Sequence, residues 1–335
     1  MAKIHIIAEA GTNHNADATL GRRLIDVAQE AGADSVKFQI IYPEGLYVEK
    51  LKNESGDFQD NEVIEVRRKG MLSDGDYRSL SGYAQSQGVP LSASIFDQRG
   101  IELLDEFNPP YIKIASCDAN NIPLIAAAAR TGRKLIISTG MSTMNEVRNT
   151  VGAIEAMGHK DLVLMHCVSV YPCPTRQMNL QFLTSLREEF GYEIGLSDHT
   201  ENSLAAAAAV ALGVTWIEKH FTLDRTSQGF DHAYAMEPEM LTEYIQDVRA
   251  IEAAMLGSED KVGEQEASVK VRARRGLYAA RDIQPGEVIQ EDDVLIVRPE
   301  AALAPGQLRI VVGQKSVGHI PQYEPLTLDH LDQAS

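Results

Sequence analysis

The chain has 335 residues, 44% of them hydrophobic, which is enough for one large core and a second small one. With 48 acidic against 31 basic residues its net charge is −17, which argues against non-specific binding to nucleic acid or to acidic membranes. Three scattered cysteines, Cys117, Cys167 and Cys173, form no disulfide framework and point to a reducing cytoplasm. The opening MAKIHIIAEAG turns acidic at Glu9 and has no signal-peptide cleavage region. No apolar run approaches the ~20 residues that span a bilayer.

KIHIIAEA reads as a buried strand ending at Glu9, followed by the loop GTNHNAD and a helix over 16–31 that stops at Gly32. SVKFQI is a second strand, bearing Lys37 and Gln39. Residues 42–70 have little periodicity and many charges, and are too long for an ordinary strand-to-helix connection. A segment that covers substrate is the preferred reading, a surface excursion the alternative. Helices and strands then alternate: helix 73–87, strand PLSASIF, a helix from Asp97, and strand YIKIAS with Lys113 and Ser116. Helix 122–131, strand KLIISTG ending at Ser138, helix 143–157 and strand LVLMHCV ending near His166 follow. After the loop SVYPCPTR and helix 180–190, strand EIGLS ends in Ser197-Asp198-His199. An Ala-rich helix over 201–212 stops at Gly213, TWIEKHF carries Lys219 and His220, and helix 238–255 closes the set.

Eight strand–helix units in about 255 residues predict a (β/α)8 TIM barrel over 1–256. A doubly wound open sheet would need a Gly-rich dinucleotide fingerprint after the first strand, and AEAGTNHNAD is not one. Residues 257–275, GSEDKVGEQEASVKVRARR, read as an exposed linker. Residues 276–335 have short apolar runs, a QPGE turn signal and repeated Pro and Gly, and predict a small compact domain of short strands beside the α/β barrel, marginally stable alone.

In a parallel barrel all strand C-termini open onto one face, where ligands bind. His199 and His220, at the ends of adjacent strands, therefore land side by side, and two imidazoles can hold a divalent metal with positions left open. Lys37, Lys113 and Lys219 lie on three strands. For a single lysine, an ion pair inside the barrel with Glu9 or Glu218 is the simpler reading. Two lysines among Ser94, Ser116, Ser138 and Ser197 look like a pocket for phosphate or carboxylate. Alternation puts Lys113 with Ala115 on one face and Ile114 with Ser116 on the other, so residues at the last position have to turn with the loop. A lysine in a barrel strand also admits a Schiff-base aldolase. His14, His166 and His232 are weaker metal candidates, and each taken alone reads rather as a core or surface histidine. Asp231, in SQGFDHAY, either orients a substrate hydroxyl or caps a turn.

IIAEAGTNHNAD, SVKFQ, IKIAS, IISTGM, HCVSVYPCP, IGLSDHT and IEKHFT, in this order, resemble the sialic acid synthase family. RRGLYAARDIQPGEVI and VRPE resemble the small antifreeze-like, or SAF, domain of those enzymes, so the resemblance covers essentially the whole chain. It implies condensation of phosphoenolpyruvate with an N-acyl hexosamine such as N-acetylmannosamine, giving a nine-carbon 2-keto sugar acid and phosphate. It also implies a divalent metal, Mn²⁺ first and Mg²⁺ or Co²⁺ second, on His199 and His220. By the same resemblance Lys37, Ser94, Lys113, Ser116, Ser138 and Ser197 surround phosphoenolpyruvate. Glu9 positions a water or another metal-bound group, and Gln39, Asp118, Ser169, Tyr171 and Asp231 face the substrate. Arg298 in VRPE matches the arginine that, in a domain-swapped homodimer, reaches the partner's substrate.

The chain departs from the family pattern in three places. Asp118 stands where members commonly carry Glu, Ser169 where makers of N-acetylneuraminate often have Asn, and GFDH replaces the common GPDH. All lie on the substrate side. The acceptor thus stays open between N-acetylmannosamine and the 2,4-diacetamido-6-deoxy hexoses used for legionaminic or pseudaminic acid, and the lack of an extra basic cluster favours an unphosphorylated sugar. The competing readings are the Schiff-base aldolase, and a carbohydrate- or ice-binding module with a decayed barrel.

Overall fold

The computed structural model describes residues 3–257 and 263–332. The chain divides into two compact units, one up to Leu256 and one from Gly257.

The first unit is built on eight parallel strands: β1 (His5–Gly11), β2 (Ser35–Ile40), β3 (Leu91–Ile95), β4 (Ile112–Ile114), β5 (Leu135–Ser138), β6 (Leu162–Cys167), β7 (Glu193–Asp198) and β8 (Trp216–His220). Each pairs with its neighbours in sequence, and β1 pairs with β8, which closes the barrel. The strands are nearly continuous apolar runs because both faces are covered, by the barrel interior and by helices. Those helices are α1 (Ala18–Glu30), α2 (Asp74–Ser86), α3 (Gln98–Asp105), α4 (Ile122–Ala129), α5 (Met144–Ala156), α6 (Gln181–Phe190), α7 (Leu204–Ala211) and α8 (Pro238–Met255).

Local chemistry sets where the helices begin. Asp17 accepts from the Thr19 N–H, while Ser73 with Asp76 and Thr143 with Glu146 form reciprocal capping boxes. Helix α1 then buries Gly21, Leu24, Ile25 and Ala28, the i, i+3, i+4, i+7 stripe of an amphipathic helix. Burial of a side chain such as Leu24 or Ile25 is worth about 1.5–3 kcal/mol. Helix α7 starts three residues later than its sequence suggests, because the Asn202 side chain accepts from the Leu204 N–H and fixes the chain in a turn up to that point.

Two cores result. The larger lies between strands and helices. The smaller fills the lower barrel with Ile7, Tyr111, Ile136, Val163, Met165 and Trp216, and His5 stacks on Trp216 with ring centroids 4.2 Å apart. Side chains on alternate positions above this layer face the C-terminal mouth.

Residues 42–70 carry more structure than their lack of periodicity suggests. They form a short helix (Pro43–Leu46), an antiparallel hairpin (Lys50–Lys52 with Phe58–Asp60) and a helix at Glu62–Lys69. Asn61 caps that last helix, Glu62 and Glu65 lie in its first turn, and Arg67, Arg68 and Lys69 in its last, as its dipole favours.

The second unit has strands β9 (Gly276–Ala279) and β10 (Val294–Val297), paired antiparallel, over a core that includes Leu277, Ile283, Ile289, Val311, Ile320 and Leu326. Within the expected exposed linker 257–275 lies helix α9 (Glu264–Ala273); residues 258–262 lie outside the described residues. No residue of α9 is buried, so its helicity reflects charge placement, with Glu264 and Glu266 in the first turn and Lys270 and Arg272 in the last. Among the described residues no helix is long and apolar enough to cross a membrane.

Candidate active site

Strand register brings the chemistry to one level. Glu9 lies opposite both His220 and Lys37, Ser94 opposite both Gln39 and Lys113, and Ser197 opposite both Cys167 and Glu218. A cavity of about 330 Å³ opens above the lower barrel layer, and its lining includes Glu9, Lys37, Gln39, Ser94, Lys113, Ser116, Ser138, Ser169, Tyr171, Ser197, His199 and His220. Thirteen residues expected at the site from sequence lie in the first unit besides Asp118, and twelve of them meet here; Asp231 lines a second chamber.

The cavity floor is a charged network. Lys37 Nζ is 2.6 Å from Glu9 and 3.6 Å from Glu218, and donates to Ser94 Oγ at 2.9 Å. Lys113 Nζ donates to both Glu218 oxygens, at 3.0 and 2.8 Å, and Ser197 Oγ donates to Glu218 Oε1 at 3.0 Å. Burial pushes the Glu9 carboxyl up to about 7, against the pull of Lys37. Burial also pushes Glu218 upward, but Lys113 and then Lys37 overcome it and hold Glu218 well below the usual carboxylate range. The ion-pair reading of the lysines thus holds in the protein alone. The two ammonium groups face two carboxylates, so the floor is close to neutral.

Glu218 is the residue that the sequence reading placed only as a salt-bridge partner. Lys219 goes the other way: it points behind β8, where its ammonium lies 3.5 Å from Asp198, donates to the Thr200 carbonyl and sits 5.0 Å from the Tyr244 ring centroid. Strand alternation explains both, since His220 and Glu218 share a face that Lys219 cannot. Lys219 is therefore no candidate for a Schiff base in this cavity. Lys113 does line it.

One further expectation changes. The Asp118 side chain does not line the cavity. The chain turns at the end of β4 into a 3-10 segment, Ser116–Asp118, which leaves Ser116 at the cavity and folds Asp118 back to accept from the Asn121 amide at 2.9 Å. Arg298 is exposed in the second unit.

His199 and His220 come together with ring centroids 5.4 Å apart. His199 Nδ1 donates to the Val168 carbonyl at 2.9 Å, which turns Nε2 toward a ligand; burial pulls this ring down, but Cys167 and the Val168 carbonyl outweigh it and hold it above its ordinary value. His220 Nδ1 is buried without a partner, and burial lowers the ring to about 3, which keeps it neutral. Among the described residues no three His, Cys, Asp or Glu side chains converge as a metal cage. The donor set is thus two imidazoles, fit for a divalent ion whose other positions go to ligand or water. Tyr171 covers the pair, 4.2 Å from the His199 ring and 4.8 Å from Tyr234 between centroids.

Unpaired buried polar atoms concentrate at this mouth. Ser138 Oγ, Ser169 Oγ, His220 Nδ1 and Asp231 Oδ2 are all buried with no hydrogen-bond partner, a costly state that a polar ligand relieves. Glycines make the room. A Cβ on Gly140 would sit 2.5 Å from Ser169 Oγ and 2.7 Å from Ser116 Oγ, and one on Gly11, at φ +56°, 2.6 Å from Asp231 Oδ2.

Next to the cavity, and sharing Gln39, Tyr171 and His220 with it, is an outer chamber of about 560 Å³. Its walls include Ile41, Leu46 and Phe96, together with Arg67, Phe230 and Asp231. Arg67 comes from the Glu62–Lys69 helix, so residues 42–70 do contribute to the site. Sequence periodicity gave no sign of which residue would do so.

A search against family models matches residues 24–261 to the NeuB family and residues 274–332 to the SAF domain. N,N'-diacetyllegionaminic acid synthase of Legionella pneumophila subsp. pneumophila is 33% identical over 98% of this chain and 94% of its own. Human N-acetylneuraminate-9-phosphate synthase is 30% identical over 92% of this chain and 88% of its own. The crystal structure of an N-acetylneuraminic acid synthetase from Leptospira borgpetersenii serovar Hardjo-bovis, in complex with citrate, covers 80% of this chain and 90% of its own, with a TM-score of 0.71 and 30% identity.

Proposed function

Because the chain belongs to the NeuB family and carries a SAF domain, we propose that it is a nonulosonic acid synthase that joins phosphoenolpyruvate to the open-chain aldehyde of an N-acyl hexosamine. C3 of phosphoenolpyruvate attacks the aldehyde carbon, water adds at C2, and the C2–O bond to phosphate breaks. The products are a nine-carbon 2-keto sugar acid and phosphate. One observation carries this reading: two lysines, a ring of serine hydroxyls and two imidazoles surround one cavity whose buried Ser138, Ser169 and His220 atoms lack partners.

Lys37 and Lys113, with Ser94, Ser116, Ser138 and Ser197, receive the carboxylate and phosphate of phosphoenolpyruvate. Glu9 and Glu218 already offset the lysines, so a trianionic ligand needs more positive charge than these residues provide. His199 and His220 would hold a divalent cation, Mn²⁺ foremost, which supplies that charge and the Lewis acidity that activates an aldehyde. Glu9, raised to about 7, can take or give a proton near neutrality, which suits it to orienting the water. Gln39, Tyr171 and Asp231 contact the sugar. Arg298, exposed in the second unit, reaches the acceptor of a second copy in a domain-swapped homodimer. Free Cys117, Cys167 and Cys173 suit work in the cytoplasm.

Two acceptors fit, N-acetylmannosamine and a 2,4-diacetamido-6-deoxy hexose. The likeness to a legionaminic acid synthase favours the second. The test is phosphate release from phosphoenolpyruvate with Mn²⁺ across a panel of both sugar types, with a chelator control. Release with one sugar, abolished by the chelator, is expected. Release that survives the chelator would remove the metal from the reading, and no release with any sugar would count against the reaction itself. A monomer with full activity in sedimentation would rule out the role of Arg298.

A further inference from the structure

Each of the two paired histidines follows a charged residue that turns the other way. Asp198, the last residue of β7, precedes His199, and Lys219 precedes His220 at the end of β8. The parallel register sets Lys219 directly opposite Asp198. Alternation then sends this pair behind the barrel, while both histidines line the cavity.

The pair belongs to a buried network. Asp198 Oδ1 accepts from the Thr200 N–H at 2.9 Å and from the Thr200 hydroxyl at 2.8 Å, and Oδ2 accepts from the Tyr244 hydroxyl of α8 at 2.8 Å. The Lys219 ammonium lies 3.5 Å from Oδ2, donates to the Thr200 carbonyl and rests 5.0 Å from the Tyr244 ring centroid. Asp198, Thr200, Lys219 and Tyr244 are each no more than 2% exposed. Among the described residues that line the inner cavity or the outer chamber, none of these four occurs, so they act on a ligand only through other residues.

Stability is a weak reason for such a pair. Two charges taken out of water regain from each other little more than the solvation they lose, and apolar residues of the same size hold a fold as well. What the network adds is geometry. Residues 198 and 200 bracket His199: the Asp198 carboxylate ties down the Thr200 N–H, and Lys219 holds the Thr200 carbonyl from β8. The His199 carbonyl in turn accepts from the Cys173 N–H at 2.8 Å. The backbone on both sides of His199 is thus fastened to the strand that carries His220. Two imidazoles make a sparse donor set, so their spacing, with ring centroids 5.4 Å apart, depends on how firmly those backbones are held.

We infer that Asp198, Lys219 and Tyr244 are positioning residues for a divalent cation, fixing the spacing of His199 and His220 from behind the barrel. This rests on the metal assignment within the synthase reading and deepens it. The three residues lie outside the cavity and take no part in the bond-making step.

The experiment measures Mn²⁺ binding by calorimetry, and the electron paramagnetic resonance of bound Mn²⁺, in native protein, Lys219→Met, Tyr244→Phe, Asp198→Ala and Asp198→Asn. Leu24→Ala, a core truncation in α1, controls for general loss of stability, and melting temperatures are recorded for all. Loss of the groups that support a metal ligand lowers metal affinity roughly 10- to 100-fold, and Lys219→Met and Asp198→Ala, acting through the backbone, should lie near about tenfold. Their Mn²⁺ resonance lines should broaden, because the site is less uniform. Tyr244→Phe loses one hydroxyl and should bind about threefold more weakly, the scale of a single hydrogen bond. Asp198→Asn keeps an oxygen for Thr200 and should recover most of the affinity. Lys219→Met combined with Asp198→Ala should lose little more than either alone, because both break one network. Leu24→Ala should melt lower yet bind Mn²⁺ as native protein does.

Native Mn²⁺ affinity in Lys219→Met and Tyr244→Phe would overturn the inference, whatever their melting temperatures. So would an equal loss in Leu24→Ala, which would make the effect one of general stability. Native protein that binds no Mn²⁺ would remove the metal assignment and the inference with it. If native protein binds Mn²⁺ and the variants lose it, but no sugar gives phosphate release, the synthase reading falls and the positioning role stands.

Discussion

Glu218→Gln removes one charge from the middle of the site and almost nothing from its shape. Glu218 is shared by Lys113 Nζ at 2.8 Å and Lys37 Nζ at 3.6 Å, and all three side chains are buried. Removing one partner of a buried ion pair costs about 3–5 kcal/mol, because the other charge is left without compensation. Lys37 keeps Glu9 at 2.6 Å, and a glutamine oxygen still accepts from Lys113, so the lower end, about 3 kcal/mol, applies. In a domain of this size that lowers the melting temperature by roughly 6–12 °C. Phosphoenolpyruvate brings negative charge to the ammonium that lost its partner, so the ligand should raise the melting temperature of the variant more than that of native protein. Thermal unfolding with and without saturating phosphoenolpyruvate reads both effects. A ligand-free variant melting within about 2 °C of native protein would refute the energetics. Equal ligand shifts in the two proteins would refute the placement of the anion on Lys113.

Acid should destabilise the protein before most carboxylates titrate. Burial lowers His5 and His14 to about 4 and His220 to about 3, against 6.5 when unfolded. Between these values the unfolded chain binds more protons, so stability falls as pH drops below 6.5. Glu9, raised from 4.5 to about 7, acts oppositely, because over that range the folded state holds the extra proton. Three histidines less one carboxyl leave about two protons, or about 2.7 kcal/mol per pH unit near pH 5.5. Chemical denaturation at pH 6.5 and 5.5 measures this, and a flat profile would contradict it. Gly140→Ala should displace the Ser116 and Ser169 hydroxyls and raise the KM for phosphoenolpyruvate roughly tenfold, the scale of one lost hydrogen bond. Steady-state kinetics with unchanged far-ultraviolet circular dichroism would show this. His220→Ala should lose Mn²⁺ binding in calorimetry together with phosphate release, and normal turnover would show that the metal assignment is wrong.

The barrel was legible because eight strands of continuous apolar character, each followed by a helical stripe, leave few other architectures. The inward residues of β2 and β8 were legible for a different reason: period-two alternation fixes a side chain's face once one neighbour is known. By that rule Glu218 belonged with His220 from the start, and Lys219 belonged behind the strand with Asp198 and Tyr244. Asp118 was not legible, because the chain leaves the strand at Ser116 and a 3-10 turn has no alternation to extrapolate. Arg67 was hidden for a related reason. Its helix buries only Ile64, so hydrophobic periodicity is absent, and its position depends on Phe230, distant in sequence. Helix α9 was readable from its acidic start and basic end, a signal that the charged composition of the stretch masked.

The pairing of β1 with β8 sets Glu9 directly opposite His220, and β1 also sets Glu9 opposite Lys37. The site is therefore drawn from the first and the last strands of the barrel. A nascent chain that has not yet emerged past His220 can form helices and most of a sheet while presenting no substrate pocket. In refolding, recovery of ligand binding reports the moment when the ring joins, later than any spectroscopic signal from helix or strand.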